Sequence, residues 1–129
     1  MSKKYKILLC EDEEFVARSY VRKLELEGYE VIHARNGEEA IEKLKSEKPH
    51  VAILDLLMPL KSGFEVLEQL QKENDPVILK IPIIVASNLG QKSDMDEAKR
   101  LGAVDFLIKS NISLKDLAVK VKAQLPATE

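Results

Sequence analysis

The stretch Val51-Ala-Ile-Leu-Asp55-Leu-Leu-Met-Pro59-Leu-Lys-Ser-Gly63 constrains this chain more than any other. Four apolar residues, two of them β-branched, run without interruption into a single carboxylate. An unbroken apolar run of that length reads as a strand buried on both faces, the pattern of a parallel sheet. Met58-Pro59 ends it, because proline has no N–H to give to a ladder and biases the residue before it away from helix. Gly63 then opens an amphipathic segment. Asp55 is thereby placed at the carboxyl end of a central strand, where open α/β sheets gather their chemistry. A lone carboxylate there serves equally well as a strand terminator, and the rest of the chain has to decide.

The 129 residues form one domain, long enough for a full core and too short for two. We expect residues 1–125 to make that domain, with Pro126-Ala-Thr-Glu129 a frayed end or the start of a linker. A formal charge of −2 and lysines spread along the chain argue against a dedicated nucleic-acid surface. The single cysteine, Cys10, lies inside an apolar run and reads as a buried small hydrophobe. No internal disulfide framework can form, which fits a reducing cytoplasm. No stretch reads as a signal peptide or a membrane span.

In order, Lys6-Ile-Leu-Leu-Cys10 is a short strand that runs into Glu11-Asp12-Glu13-Glu14. A helix start, with Asp12 as its cap, explains the later acids but not why acids begin at the strand end itself. The helix from about Glu13 to Glu27 carries Val16, Tyr20 and Leu24 on one face and stops at Gly28. Tyr29 to Ala34 is the second strand, with His33 a structural residue near its end. Asn36-Gly37 leads into a helix bearing Ala40, Ile41 and Leu44, and Lys48-Pro49 ends it. After the strand ending at Asp55, a helix from Gly63 buries Val66, Leu67 and Leu70. The connection Glu73 to Pro82 brackets an apolar patch between prolines, to pack back on the domain or to extend the next strand. Ile83 to Ala86 is the fourth strand and delivers Ser87-Asn88. A helix with Met95, Ala98 and Leu101 ends at Gly102, and Val104 to Ile108 is the fifth strand, delivering Lys109. Leu114, Leu117, Ala118, Val121 and Leu125 mark the last helix.

Five strand–helix alternations call for right-handed crossovers and helices on both faces. The expected fold is α/β: a flavodoxin-like, doubly wound, five-stranded parallel sheet of order 2-1-3-4-5 with five helices. In that order the first and third strands flank the switch point, so Glu11, Asp12 and Asp55 converge on one crevice. Three ionised carboxylates need a counter-charge. A hard divalent cation supplies it, and oxygen ligands with several retained waters are the Mg²⁺ pattern. Ser87 and Lys109 arrive from the next two strands. A nucleophilic carboxylate, an acid pair for a metal, a hydroxyl and an ammonium are the parts phosphoryl transfer requires.

The motifs Ile7-Leu-Leu-Cys-Glu-Asp-Glu13, Leu54-Asp-Leu-Leu-Met-Pro59 with Gly63, Ile84-Val-Ala-Ser87 and Gly102-Ala-Val-Asp-Phe-Leu-Ile-Lys109 are highly specific in this combination and order. Over essentially its whole length the chain resembles a receiver (response-regulator) domain of two-component signalling. The resemblance implies that Asp55 accepts phosphate from a histidine kinase or a histidine phosphotransfer protein. It implies that Glu11 and Asp12 are the acid pair for Mg²⁺, with Asp12 the more direct ligand of the two, and that Asp55 and the Leu57 backbone carbonyl are further ligands. Ser87 and Lys109 match the hydroxyl and lysine that hold the phosphoryl oxygens. Phe106 matches the aromatic position whose inward rotation accompanies activation. The expected protein is a cytoplasmic switch rather than an enzyme, acting on itself alone. Its downstream protein target would meet the face made by the fourth of the five expected helices, the fifth strand and the last helix, with no direct contact to nucleic acid or membrane.

The chain departs from the family's usual pattern at four positions. Ser110 stands where a proline in a cis bond is usual, and the expectation here is a trans bond. Asn88 stands where a smaller residue is commoner. Leu57 and Leu89 are apolar at rim positions that are often polar in fast-hydrolysing members, which predicts a persistent phosphorylated state. Three other readings compete. The chain is a receiver fragment of a larger regulator or hybrid kinase, or an Asp-nucleophile Mg²⁺ phosphohydrolase, or a flavodoxin-like nucleotide binder. A haloacid-dehalogenase-like hydrolase wants a second acid two residues after the nucleophile, where this chain has Leu57. A nucleotide binder wants a glycine-rich loop after the first strand, where this chain has four acids.

Overall fold

Each apolar run that ends in a polar residue becomes a strand, and each run of 3.6-residue periodicity becomes a helix on one side or the other of the sheet. The computed structural model describes residues 4–88 and 91–126. β1 (Lys6–Cys10), β2 (Glu30–Ala34), β3 (Val51–Asp55), β4 (Ile83–Ser87) and β5 (Asp105–Ile108) pair in parallel, in the order β2-β1-β3-β4-β5. Between them run α1 (Glu14–Leu26), α2 (Gly37–Glu47), α3 (Gly63–Glu73), α4 (Pro76–Leu79) and α5 (Lys92–Arg100), and α6 (Leu114–Gln124) follows β5.

Successive strand residues point to opposite faces, so the sheet carries two cores. Leu8, Cys10, Leu54 and Val85 face α2, α3 and α5, where they meet Leu44, Leu67 and Ala98. Ile7, Leu9, Ile53 and Ile84 face α1 and α6, where they meet Tyr20, Leu24, Leu117 and Val121. β3 and β4 are buried at every position, as their unbroken apolar runs require. On α1 the fully buried residues are Ala17, Tyr20 and Leu24, and Val16 sits half-buried at the margin of that face.

The five expected helices are all present, and among the described residues a short sixth one joins them. This is α4, a single turn inside the connection between α3 and β4. Asp75 accepts at Oδ1 from Val77 N (2.9 Å), Pro76 takes the first helical position, and Ile78 is buried. The apolar patch therefore packs back on the domain as a helical turn and does not extend β4. One local expectation is corrected, at the start of α1, where the cap is Glu13 rather than Asp12, with no side-chain cap bond. The reason is local: the Glu13 N–H donates to Glu11 Oε2 (3.1 Å), and the first helical bond runs from Ala17 N to Glu13 O (2.9 Å).

Elsewhere the caps follow the sequence. Asn36 caps α2 by accepting from Glu39 N, and Ser62 with Glu65 forms a reciprocal capping box on α3. Gly63 allows that capped end to press against the end of β3. A Cβ there would lie 2.5 Å from the Asp55 carbonyl oxygen, and Gly63 N donates to Leu56 O at 2.9 Å. No helix among the described residues is long and apolar enough to cross a membrane.

Candidate functional site

The carboxyl ends of β1, β3, β4 and β5 carry the polar residues in question to one rim. The register sets Cys10 opposite Leu54, Asp55 opposite Ala86 and Ser87 opposite Ile108. The next residues out, Glu11 and Lys109, therefore flank Asp55 from either side of the sheet. Among the described residues, Glu11, Asp55 and Ser87 are the buried polar side chains. Everything else inside is apolar, so these three are held at the end of the core rather than scattered through it.

Lys109 joins the carboxylates. Its Nζ donates to Glu11 Oε1 at 2.9 Å and to Asp55 Oδ2 at 3.0 Å, and lies 3.6 Å from Glu13. The lysine side chain is only 7% exposed, so this ammonium has given up most of its water for carboxylate partners. Burial alone would pull its pKa down, but the hydrogen bonds and charges of Glu11 and Asp55 outweigh that and raise it. It is a fixed positive charge.

Glu11 behaves in the opposite way. Burial, helped by the Asp55 charge, pushes its carboxyl up to about 7, against the hydrogen bonds from Lys109 and the Glu13 N–H. Four of its polar atoms are bonded: Oε1 to Lys109, Oε2 to Glu13 N, the backbone N–H to Ala34 O (2.9 Å), and the carbonyl to His33 Nε2 (2.7 Å). A carbonyl only accepts, so Nε2 carries the proton. Asp12, by contrast, is exposed. Asp55 offers Oδ1 to the Leu57 N–H at 3.1 Å. The neighbouring Cys10 thiol is pushed up by burial and by the charges of Asp55 and Glu11, which keeps it protonated and inert.

Carboxylate oxygens of Glu11, Asp12 and Asp55 lie within 4.8 Å of one another. One ammonium faces three clustered carboxylates, with Glu13 near by, so the crevice carries excess negative charge in hard oxygen donors. That donor set fits a hydrated divalent cation such as Mg²⁺.

All five side chains singled out from the sequence, Glu11, Asp12, Asp55, Ser87 and Lys109, thus meet at one rim. Leu57 takes part through its backbone, while its side chain is 59% exposed. The peptide between Lys109 and Ser110 is trans, as expected, since no described peptide bond is cis. Leu89 and Gly90 lie outside the described residues. Phe106 is already inside, buried against the α2–α3–α5 core. It also lines a groove of about 510 Å³ with Met95, Ile108, Ile112 and Val119.

Two contacts were not foreseen. His33 was read as structural, and its bond to the Glu11 carbonyl ties the end of β2 to the acid pair. Asn88 accepts at Oδ1 from Ser110 N at 3.1 Å, so two of the unusual positions are joined by one bond. His50 lies at the opposite end of the sheet, where its Nδ1 accepts from Lys6 N, so the two histidines form no common site.

A doubly wound sheet of this order, with an acid cluster and a lysine at its carboxyl rim, is the architecture of a phosphorylation-type signalling module. A family model described as the response regulator receiver domain matches residues 7–122, and the chain belongs to that family. Among curated relatives, the probable transcriptional regulator ycf27 of Cyanophora paradoxa is 37% identical over 126 residues, covering 98% of this chain and 50% of the relative. Response regulator RR06 of Streptococcus pneumoniae is 39% identical over 117 residues, covering 91% and 51%. The solved receiver domain of a signal transduction histidine kinase from Syntrophus aciditrophicus superposes with a TM-score of 0.83 at 33% identity, over 97% of this chain and 95% of that one. The chain spans about half the length of the curated relatives it matches. It is a receiver domain of the response-regulator kind, a signalling switch.

Proposed function

We propose that Asp55 is the phosphoacceptor, taking its phosphoryl group from a phosphohistidine on a histidine kinase or phosphotransfer protein. An Asp55 carboxylate oxygen attacks phosphorus, the P–N bond to the donor breaks, and the histidine nitrogen keeps the electron pair. The observation that carries this reading is the buried Lys109 ammonium, 3.0 Å from Asp55 Oδ2 and 2.9 Å from Glu11 Oε1. It is placed to move from carboxylate to phosphoryl oxygen as negative charge arrives.

Asp12, Asp55 and the Leu57 carbonyl would hold Mg²⁺, with Glu11 shaping the crevice behind them. When bound, the ion neutralises charge on the phosphoryl oxygens. Ser87, at the end of β4, would supply the hydroxyl to a phosphoryl oxygen. The domain changes no substrate other than itself, and its own hydrolysis resets it. The folded unit would run through Leu125, with 126–129 a tail or the start of a linker.

The output surface would be the α5–β5–α6 face, which bears the groove at Phe106. A shift of Ser87 toward the phosphoryl group re-packs that face and changes its affinity for a downstream protein. Because the matched relatives are about twice as long, we place this chain as the receiver part of a larger cytoplasmic regulator whose output module lies elsewhere. The phosphohydrolase reading has no support in the proteins named here, and Leu57 stands where its second acid would be.

The test is labelling by a small phosphodonor with Mg²⁺, read by intact mass. One hydroxylamine-labile phosphate is expected on the parent and none on Asp55→Asn. Labelling of the Asn variant at the parental rate would overturn the assignment.

A further inference from the structure

The β4–β5 ladder continues one step beyond the sheet. The last paired strand residues are Ser87 and Ile108, and Lys109 N then donates to Ser87 O at 3.0 Å. The following N–H, that of Ser110, meets no backbone carbonyl among the described residues. It donates instead to the Asn88 side-chain oxygen at 3.1 Å. Asn111 N closes the turn behind them on Ile108 O at 2.9 Å.

The two peptide planes on either side of the Lys109 Cα are therefore both pinned to β4, one to the backbone of Ser87 and one to the side chain of Asn88. Those planes fix the direction in which the Lys109 side chain leaves the backbone. From that direction its long stem reaches Glu11 and Asp55. A backbone N–H only donates, so the Asn88 atom facing it is the oxygen. An apolar residue at 88 has nothing to offer, and a proline at 110 has no N–H to give.

We infer that Asn88 is a positioning residue for phosphoryl transfer. Through the Ser110 N–H it holds the Lys109 peptide to the end of β4, so that Ser87 and Lys109 present their donors as one rigid pair. The inference rests on the phosphoacceptor reading above. Both Asn88 and Ser110 are exposed, so the bond contributes little to folding; its effect is geometric, and small misplacements of a catalytic group are costly in rate. The carboxylates of the cation site are carried at the ends of β1 and β3 and bond neither Asn88 nor Ser110.

The experiment compares the parent chain with Asn88→Ala, Ser110→Pro, the double variant and Ser110→Ala, which keeps the N–H. Labelling rates are measured with acetyl phosphate at saturating Mg²⁺, and Mg²⁺ affinity by competition with Mn²⁺. Asn88→Ala and Ser110→Pro should each slow labelling about three- to tenfold, while Mg²⁺ affinity stays as in the parent. The double variant should be no slower than the slower single one, since both break one bond, and Ser110→Ala should match the parent. Asn88→Ala labelling at the parental rate, additive losses in the double variant, or Mg²⁺ affinity falling in step with the rate would each overturn the inference. A parent that takes no label on Asp55 overturns the phosphoacceptor reading itself, a different outcome from a labelled parent with indifferent variants.

Discussion

At the scale of single residues the site is a contest between burial and charge. Glu11 has a folded pKa of about 7 against an ordinary value of 4.5, so folding takes up a proton between those values. The stability this group contributes is therefore greatest below its unfolded pKa and declines as pH rises toward 7. A cation held in the crevice would favour the ionised form of Glu11 over the protonated one. Mg²⁺ should accordingly raise the melting temperature more at pH 8 than at pH 5, measured by calorimetry with and without the ion. An increment that is equal at both pH values would remove the link between Glu11 and the ion. The site's side chains were legible in the sequence because each ends an apolar run: Glu11 after β1, Asp55 in β3, Ser87 in β4, Lys109 after β5. The bonds from His33 to the Glu11 carbonyl and from Ser110 to Asn88 were not, since each joins chain positions 22 apart through one side chain and leaves no periodic trace.

At the scale of elements, the strands and long helices follow from pattern, and α4 does not. A single turn is too short to display a 3.6-residue period, and isolated turns are unstable without tertiary contacts. What fixes α4 is the Asp75-Pro76 start and one buried anchor, Ile78, at 4% exposure beside Val77 at 53%. Ile78→Ala should destabilise the fold by about 2–4 kcal/mol, the range for a truncated core aliphatic. Val77→Ala should stay within about 0.5 kcal/mol of the parent. Urea unfolding monitored by circular dichroism distinguishes them, and equal losses would mean that the turn is not anchored through Ile78. The start of α1 was misplaced for a related reason. Four consecutive acids offer several caps on paper, and only the bond from Glu13 N to Glu11 Oε2 selects among them.

At the scale of the whole molecule, the sheet carries a core on each face, so a phosphoryl group on Asp55 would add its charge at a rim shared by both layers. How long that charge persists depends on water. Hydrolysis of an acyl phosphate needs a water in line behind phosphorus, with a polar group to orient it. Leu57, two residues beyond Asp55, projects into solvent at this rim and offers no hydrogen bond. Asn88 accepts from Ser110 N through its carbonyl oxygen, which fixes the orientation its amide presents at this rim. The second apolar rim position, Leu89, lies outside the described residues, which leaves Leu57 to carry the test. One restored orienting bond is worth about 1–2 kcal/mol in the barrier, or up to roughly tenfold in rate. Leu57→Asn keeps the backbone N–H that Asp55 Oδ1 accepts, and changes only what faces the water. The variant's phosphoryl group should therefore decay faster than the parent's by up to about tenfold, followed as loss of the labelled mass after the donor is removed. Decay at the parental rate would show that the leucine is not what keeps the state alive, and that the persistence expected of this receiver must come from the packing around Ser87 and Lys109 instead.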